Sequence, residues 1–110
     1  MGRYISTLGT TAVVAKTLTT TGTAAVNDRI LADTSGGAFT VTLPAVSGLL
    51  VNDTVQFIDV AGVFGTNNLT IGRNGAKIQS LTEDLVLDIN NTAATLVYTG
   101  TTYGWVLSGT

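Results

Sequence analysis

Neither histidine nor cysteine occurs in this chain of 110 residues, and proline occurs once. The lack of cysteine excludes disulfides and thiolate metal sites. The lack of histidine removes the usual general base and the commonest metal ligand. Charge is also scarce: charged residues make up 11% of the chain, against roughly 25% in ordinary soluble domains. A surface so poor in charge points to coverage by other protein. The net charge of −2 and a pI near 4.5 argue against a nucleic-acid binder, which would normally show a basic face. No apolar run approaches the ~18 residues of a membrane helix. The first residues, Met1–Thr7, lack the continuous apolar core of a signal peptide.

What is present is an apolar fraction of 45%, enough for a real core in one domain. Threonine is the commonest residue, and its branched Cβ favours strands. Phe39, Val41 and Leu43 alternate with Thr40 and Thr42 before Pro44, the period of a strand with one buried face. Similar short runs recur along the chain at regular spacing. Arg29–Asp33 is followed by the glycine turn Thr34-Ser35-Gly36-Gly37 and then the strand Ala38–Leu43. Thr54–Val60 changes phase, with Val55 and Phe57 on one face and Ile58 and Val60 on the other. Asn74-Gly75 reads as the primed turn of a hairpin between 68–72 and 76–80. Leu85, Leu87 and Ile89 are expected to face inward together. Ala94–Thr99 and Tyr103–Ser108 are expected to pair as a last hairpin. Eight or nine such strands and no convincing helix predict an all-β fold, a single compact antiparallel β-sandwich or small jelly-roll-like barrel.

Residues 1–27 differ from the rest. They carry Arg3 and Lys16 and no acid, a charge of +2, whereas residues 28–110 carry −4. The expected organisation is an extended N-terminal arm over 1–27 on a body of 28–110. Ala12, Val13, Val14 and Leu18 are too apolar for a freely solvated tail and are expected to dock against a neighbour. Leu49, Leu50 and Val51 form an apolar run in a loop, so Leu49 and Leu50 join the candidate interface.

Chemistry is harder to find. Carboxylate-pair hydrolysis needs two acids about 5–10 Å apart across a cleft, but Asp33, Asp53, Asp59, Glu83, Asp84 and Asp88 mostly sit at strand ends and turns, where Asp is an ordinary turn former. Glu83, Asp84 and Asp88 lack the residue order of an EF-hand loop. Gly36-Gly37 and Gly72–Gly75 join no strand to a helix and are not phosphate cradles. No catalytic, cofactor or metal residue is assigned. Tyr103 and Trp105 remain as a possible sugar-stacking pair, set against core packing of a terminal hairpin.

The order Asp33–Pro44, Asn52–Asp59, Asn68–Gly75, Lys77-Ile78 and Tyr103–Leu107 resembles a β module of tailed-bacteriophage virion proteins, similar to those in tail-fibre and other appendage proteins, including those of cyanophages. The resemblance covers residues 28–108. It implies a non-enzymatic virion structural protein, usually a homotrimer, with other virion proteins such as the major capsid protein as partners and neither nucleic acid nor membrane. Because the module is nearly the whole of this sequence, a capsid decoration (cement) protein is favoured. The alternative is a tail-fibre or spike piece that binds host-surface glycan through Tyr103, Trp105 and the loops at 61–67 and 72–76. A carboxylate-based depolymerase subunit is a third reading.

Overall fold

Short runs of β-branched and aromatic residues separated by Asn, Asp and Gly corners are sorted by this chain into two sheets. The computed structural model describes residues 12–109. One sheet has five strands, β1 (Val14–Leu18), β3 (Asp28–Ala32), β5 (Thr54–Asp59), β8 (Ala93–Tyr98) and β9 (Trp105–Gly109), in the order β1-β3-β5-β8-β9. The other has four, β2 (Gly22–Thr23), β4 (Phe39–Thr42), β6 (Leu69–Gly72) and β7 (Leu85–Leu87), in the order β2-β4-β6-β7. The only helical turn among the described residues is a 3-10 turn at Val46–Gly48.

Up to β6 the chain changes sheet at every strand. In consequence β1, β3 and β5 lie parallel to one another, as do β2, β4 and β6. The path is a flattened coil, closed at one end by antiparallel β7 on one sheet and by β8 and β9 on the other. The sheets are therefore mixed and do not close into a barrel, which corrects the expectation of an antiparallel, jelly-roll-like arrangement. Residue alternation reports which face of a strand is buried. It is silent on which strand fills the hydrogen bonds.

The corner after β3 shows how this comes about. The Asp33 carboxylate accepts the Ser35 N–H at 3.0 Å and the Ser35 hydroxyl at 2.6 Å, and Gly37 N–H donates to the Thr34 carbonyl. The turn forms, but it carries the chain into the other sheet. β3 is already flanked: Asp33 N–H donates to Leu18 O, and Val60 N–H to Ala32 O. The Asn-Gly turn behaves likewise. Asn74 and Gly75 both have positive φ, 47° and 90°, and Ala76 N–H donates to Arg73 O at 3.1 Å, as a primed turn requires. Yet no hairpin follows, because the antiparallel partner of β6 is β7. Ile78 instead bridges Leu81 and Trp105.

Both sheets contribute to one core. Ile30, Val55, Phe57, Leu96 and Trp105 come from the first, and Phe39, Val41, Leu69, Ile71 and Leu87 from the second. Phe64 enters from the loop after β5 and is fully buried. The rings of Tyr98 and Trp105 meet edge to face with centroids 5.5 Å apart. The expected pairing of the last two strands holds, with Tyr98 opposite Trp105. Ile89, expected inside with Leu85 and Leu87, is instead 71% exposed. The strand ends at Leu87, and Asn91 (φ 64°) turns the chain toward β8.

Residues 14–23 of the stretch read as an arm supply β1 and β2, which pair with β3 and β4 of the same chain. The remainder of that stretch up to residue 11, including Arg3, lies outside the described residues.

Candidate assembly surface

The register of the five-stranded sheet brings several of the singled-out residues to one end. Val14 lies opposite Asp28 and donates its N–H to Asn27 O at 3.0 Å. Asn27 N–H donates to Thr54 O at 2.8 Å, and Thr54 is opposite Val97. Val13, Asn27, Thr54 and Val97 therefore form one row across the sheet. Beyond it lie the loop before β5 and the turn between β8 and β9. Adjacent strands are about 4.8 Å apart, so this rim runs roughly 19 Å from β1 to β9.

Five large side chains are exposed along the rim: Val13, Val14, Leu50, Val51 and Tyr103. They are held on a hydrogen-bonded frame. Leu50 N–H donates to the Asp53 carboxylate at 2.7 Å, and Asp53 N–H returns to Leu50 O at 3.0 Å. Asn52 N–H donates to Tyr98 O and Tyr98 N–H to Asp53 O, each at 2.8 Å. Asn52 itself takes φ 83°, a left-handed conformation that Asn tolerates better than most residues. Leu50 and Val51, 72% and 69% exposed, are thus presented at the tip of a fixed turn, uncovered.

Of the expected interface residues, Ala12, Val13, Val14 and Leu50 gather at this rim and are exposed. Leu18 and Leu49 are half-buried and pack against the chain's own core. Val51, outside the expected set, belongs with Leu50, and its place in the same apolar run was the available signal.

Beside the rim, β1 is an outer strand of its sheet. Val14 and Leu18 turn their backbone groups toward β3, so by alternation Ala15 and Thr17 turn theirs away from it, leaving a ladder edge open among the described residues. The one charged side chain of β1, Lys16, is folded inward. Its ammonium donates to Thr23 O at 2.9 Å and lies 3.9 Å from the Asp28 carboxylate. The bond ties β1 to β2, which is only two residues long.

Tyr103 and Trp105 do not act as a pair. Gly104, at φ 74°, breaks the alternation that would have put them on one face. Trp105 opens β9 with its ring fully buried, while Tyr103 in the turn is 59% exposed. The sugar-stacking assignment of Trp105 is corrected accordingly, since a buried ring has no face to offer. A Cβ on Gly104 would overlap the Lys77 carbonyl, so this turn requires glycine.

The acidic residues are spread over corners. Asp33 and Asp53 hold turns as described, and Asp84 accepts the Arg73 N–H at 3.0 Å. Glu83, Asp84 and Asp88 belong to no cluster of three or more potential metal ligands among the described residues. Asp59 is buried and in phase with Val55 and Phe57, so the expected phase change in this strand does not occur. One of its oxygens accepts the N–H groups of Gly62 and Val63 at 2.8 and 3.1 Å, and the other those of Phe64 and Asn91, each at 3.0 Å. Burial pushes its pKa up, but these four donors outweigh burial and hold it below the ordinary carboxylate value. A carboxylate at a core-phase position was the sequence signal for this role. Its acceptor sites are spent on the 61–67 loop and the turn at Asn91, which argues for a structural rather than a catalytic anion.

The surface thus consists of a rigid apolar rim beside an open strand edge, with carboxylates engaged as turn anchors nearby. The chain matches none of the known protein-family models and none of the curated proteins with which it was compared.

Proposed function

We propose that this protein is a non-enzymatic structural component of a phage particle, a homotrimeric capsid decoration or cement protein. In this reading the rim of Val13, Val14, Leu50, Val51 and Tyr103 seats on a neighbouring virion protein such as the major capsid protein. The N-terminal residues preceding β1 extend that contact. The observation that carries the reading is the exposure of Leu50 and Val51 on a turn closed by reciprocal bonds to Asp53. Apolar side chains carried on a turn whose backbone is already fixed spare binding the cost of ordering that turn, and contiguous exposed apolar groups mark interaction sites. The resemblance in residues 28–108 supplies the phage context.

The test is particle binding. Purified protein is added to particles lacking it, and bound protein is quantified by sedimentation. Leu50→Asp with Val51→Asp is expected to abolish binding with the circular dichroism spectrum unchanged. Normal binding by this variant overturns the rim as the docking surface. Removal of residues 1–11 tests the N-terminal contribution in the same assay.

Exposed Tyr103 favours the second reading, a tail-fibre or spike module that binds host glycan. A glycan array with Tyr103→Ala as control decides it, since lack of binding at millimolar sugar removes this reading.

A further inference from the structure

The outer face of the five-stranded sheet is nearly uncharged. Leu31, Ile58, Ala93, Val97 and Val106 fall on it by alternation, and Arg29 is its one charge among the described residues. Arg29 donates its Nε–H to Gln56 Oε1 at 2.7 Å. It has no carboxylate partner among the described residues. Beside it lies a depression of about 150 Å³, lined by Arg29, Gln56, Ile58, Ala93 and Thr95. The small Ala93 opposite Ile58 creates this hollow. An apolar side chain with a carboxylate next to it would complement this hollow and the Arg29 guanidinium.

The chain itself carries that pair. Ile89 is 71% exposed, and the adjacent Asp88 is exposed with no hydrogen-bond partner among the described residues. The acids beside Leu50, Val51 and Val60 are already engaged or buried. Asp53, near Leu50 and Val51, is committed to the Leu50 N–H, and Asp59, next to Val60, is buried.

We propose that Asp88–Ile89 of a second copy of this chain docks on the outer face, with Ile89 in the depression and the Asp88 carboxylate on the Arg29 guanidinium. The inference rests on the reading of the protein as an assembling structural component and names the contact within its oligomer. The two patches differ and belong to different parts of the molecule, so the contact is head-to-tail. Such contacts close into rings when the rotation allows and otherwise run on as filaments. A ring of three fits the proposed homotrimer. The partly desolvated Arg–carboxylate pair supplies register, and the apolar contact supplies most of the stability.

The experiment is the mass of the full chain by light scattering and sedimentation over a hundredfold range of concentration. Wild type is expected to be trimeric, and Arg29→Asp and Asp88→Arg are each expected to weaken assembly at least tenfold. Joining the two changes in one chain restores the pair with reversed sign and is expected to recover most of the loss. Ile89→Asp should give a monomer with an unchanged thermal melt. Trimers that survive all three single changes, or a reversed pair that recovers nothing, overturn this contact and leave the assembly reading standing. A wild type that is monomeric throughout yet decorates particles also overturns the contact. Loss of particle decoration with the trimer intact counts against the functional reading alone.

Discussion

The Asp59 carboxylate accepts the backbone N–H of Asn91, 32 residues further along the chain, at 3.0 Å. The same carboxylate gathers Gly62, Val63 and Phe64. One buried anion therefore fixes both the loop that delivers Phe64 to the core and the turn into β8.

Replacing Asp59 by Asn tests this knot. The amide keeps one acceptor oxygen but presents an NH2 group to backbone donors, leaving buried N–H groups unpaired. The expected loss is about 2–3 kcal/mol, read from urea unfolding, with protection of the Gly62–Phe64 amides reduced in hydrogen exchange. A loss within experimental error would show that the loop is held by packing alone.

The same group sets the response to acid. Its pKa in the folded state lies below the ordinary carboxylate value. Its contribution is therefore fully present above that value and is lost as pH falls through the depressed pKa. Asp33, lowered by the Ser35 hydroxyl and then by the Ser35 N–H, acts in the same direction but is exposed. Thermal midpoints are expected to be flat from neutral pH to about 5 and to fall below about 4. In Asp59→Asn the fall should be shallower, and an identical profile would place the acid sensitivity elsewhere.

Gly104→Ala is expected to be among the most damaging single changes. It combines a φ of 74° with overlap against the Lys77 backbone, for a cost of roughly 3 kcal/mol or more. Because Trp105 N–H bonds to Lys77 O, displacement of that carbonyl should also shift the tryptophan fluorescence. A near-neutral melt would contradict the required close approach.

Tyr103 and Trp105 are expected to separate cleanly. Trp105→Ala empties the centre of the core and should cost about 3–5 kcal/mol. Tyr103→Ala at an exposed turn should stay within about 0.5 kcal/mol of wild type. Denaturant midpoints of the two variants measure this directly, and equal losses would mean that Tyr103 packs more closely than its exposure indicates.

Much of the fold was legible residue by residue. Phe39, Val41 and Leu43 were expected to share a buried face and do so. The Asn-Gly turn takes its positive φ values, and the 94–108 pairing forms. Of the site, Val13, Val14, Leu50 and Tyr103 are exposed, whereas Trp105, Leu18 and Leu49 turn inward to the core. Those three share an apolar character that suits a core and an interface equally, so composition could not separate the two.

By itself the sequence determined the all-β character, the phases of strands such as Phe39–Leu43, the positions of the corners and the shortage of charge, because each depends on residues close in the chain. Only the tertiary structure decided that β3 joins β1 and β5 rather than β4, and that β6 takes β7 rather than the segment after Asn74-Gly75. It alone placed Leu50, Val13 and Tyr103 along one rim. Backbone hydrogen-bonding groups are the same at every residue, so a strand's sequence carries its buried face but not its neighbour. That choice falls to whichever arrangement closes one core around Trp105, Phe57 and Phe64 while leaving few buried backbone groups unpaired.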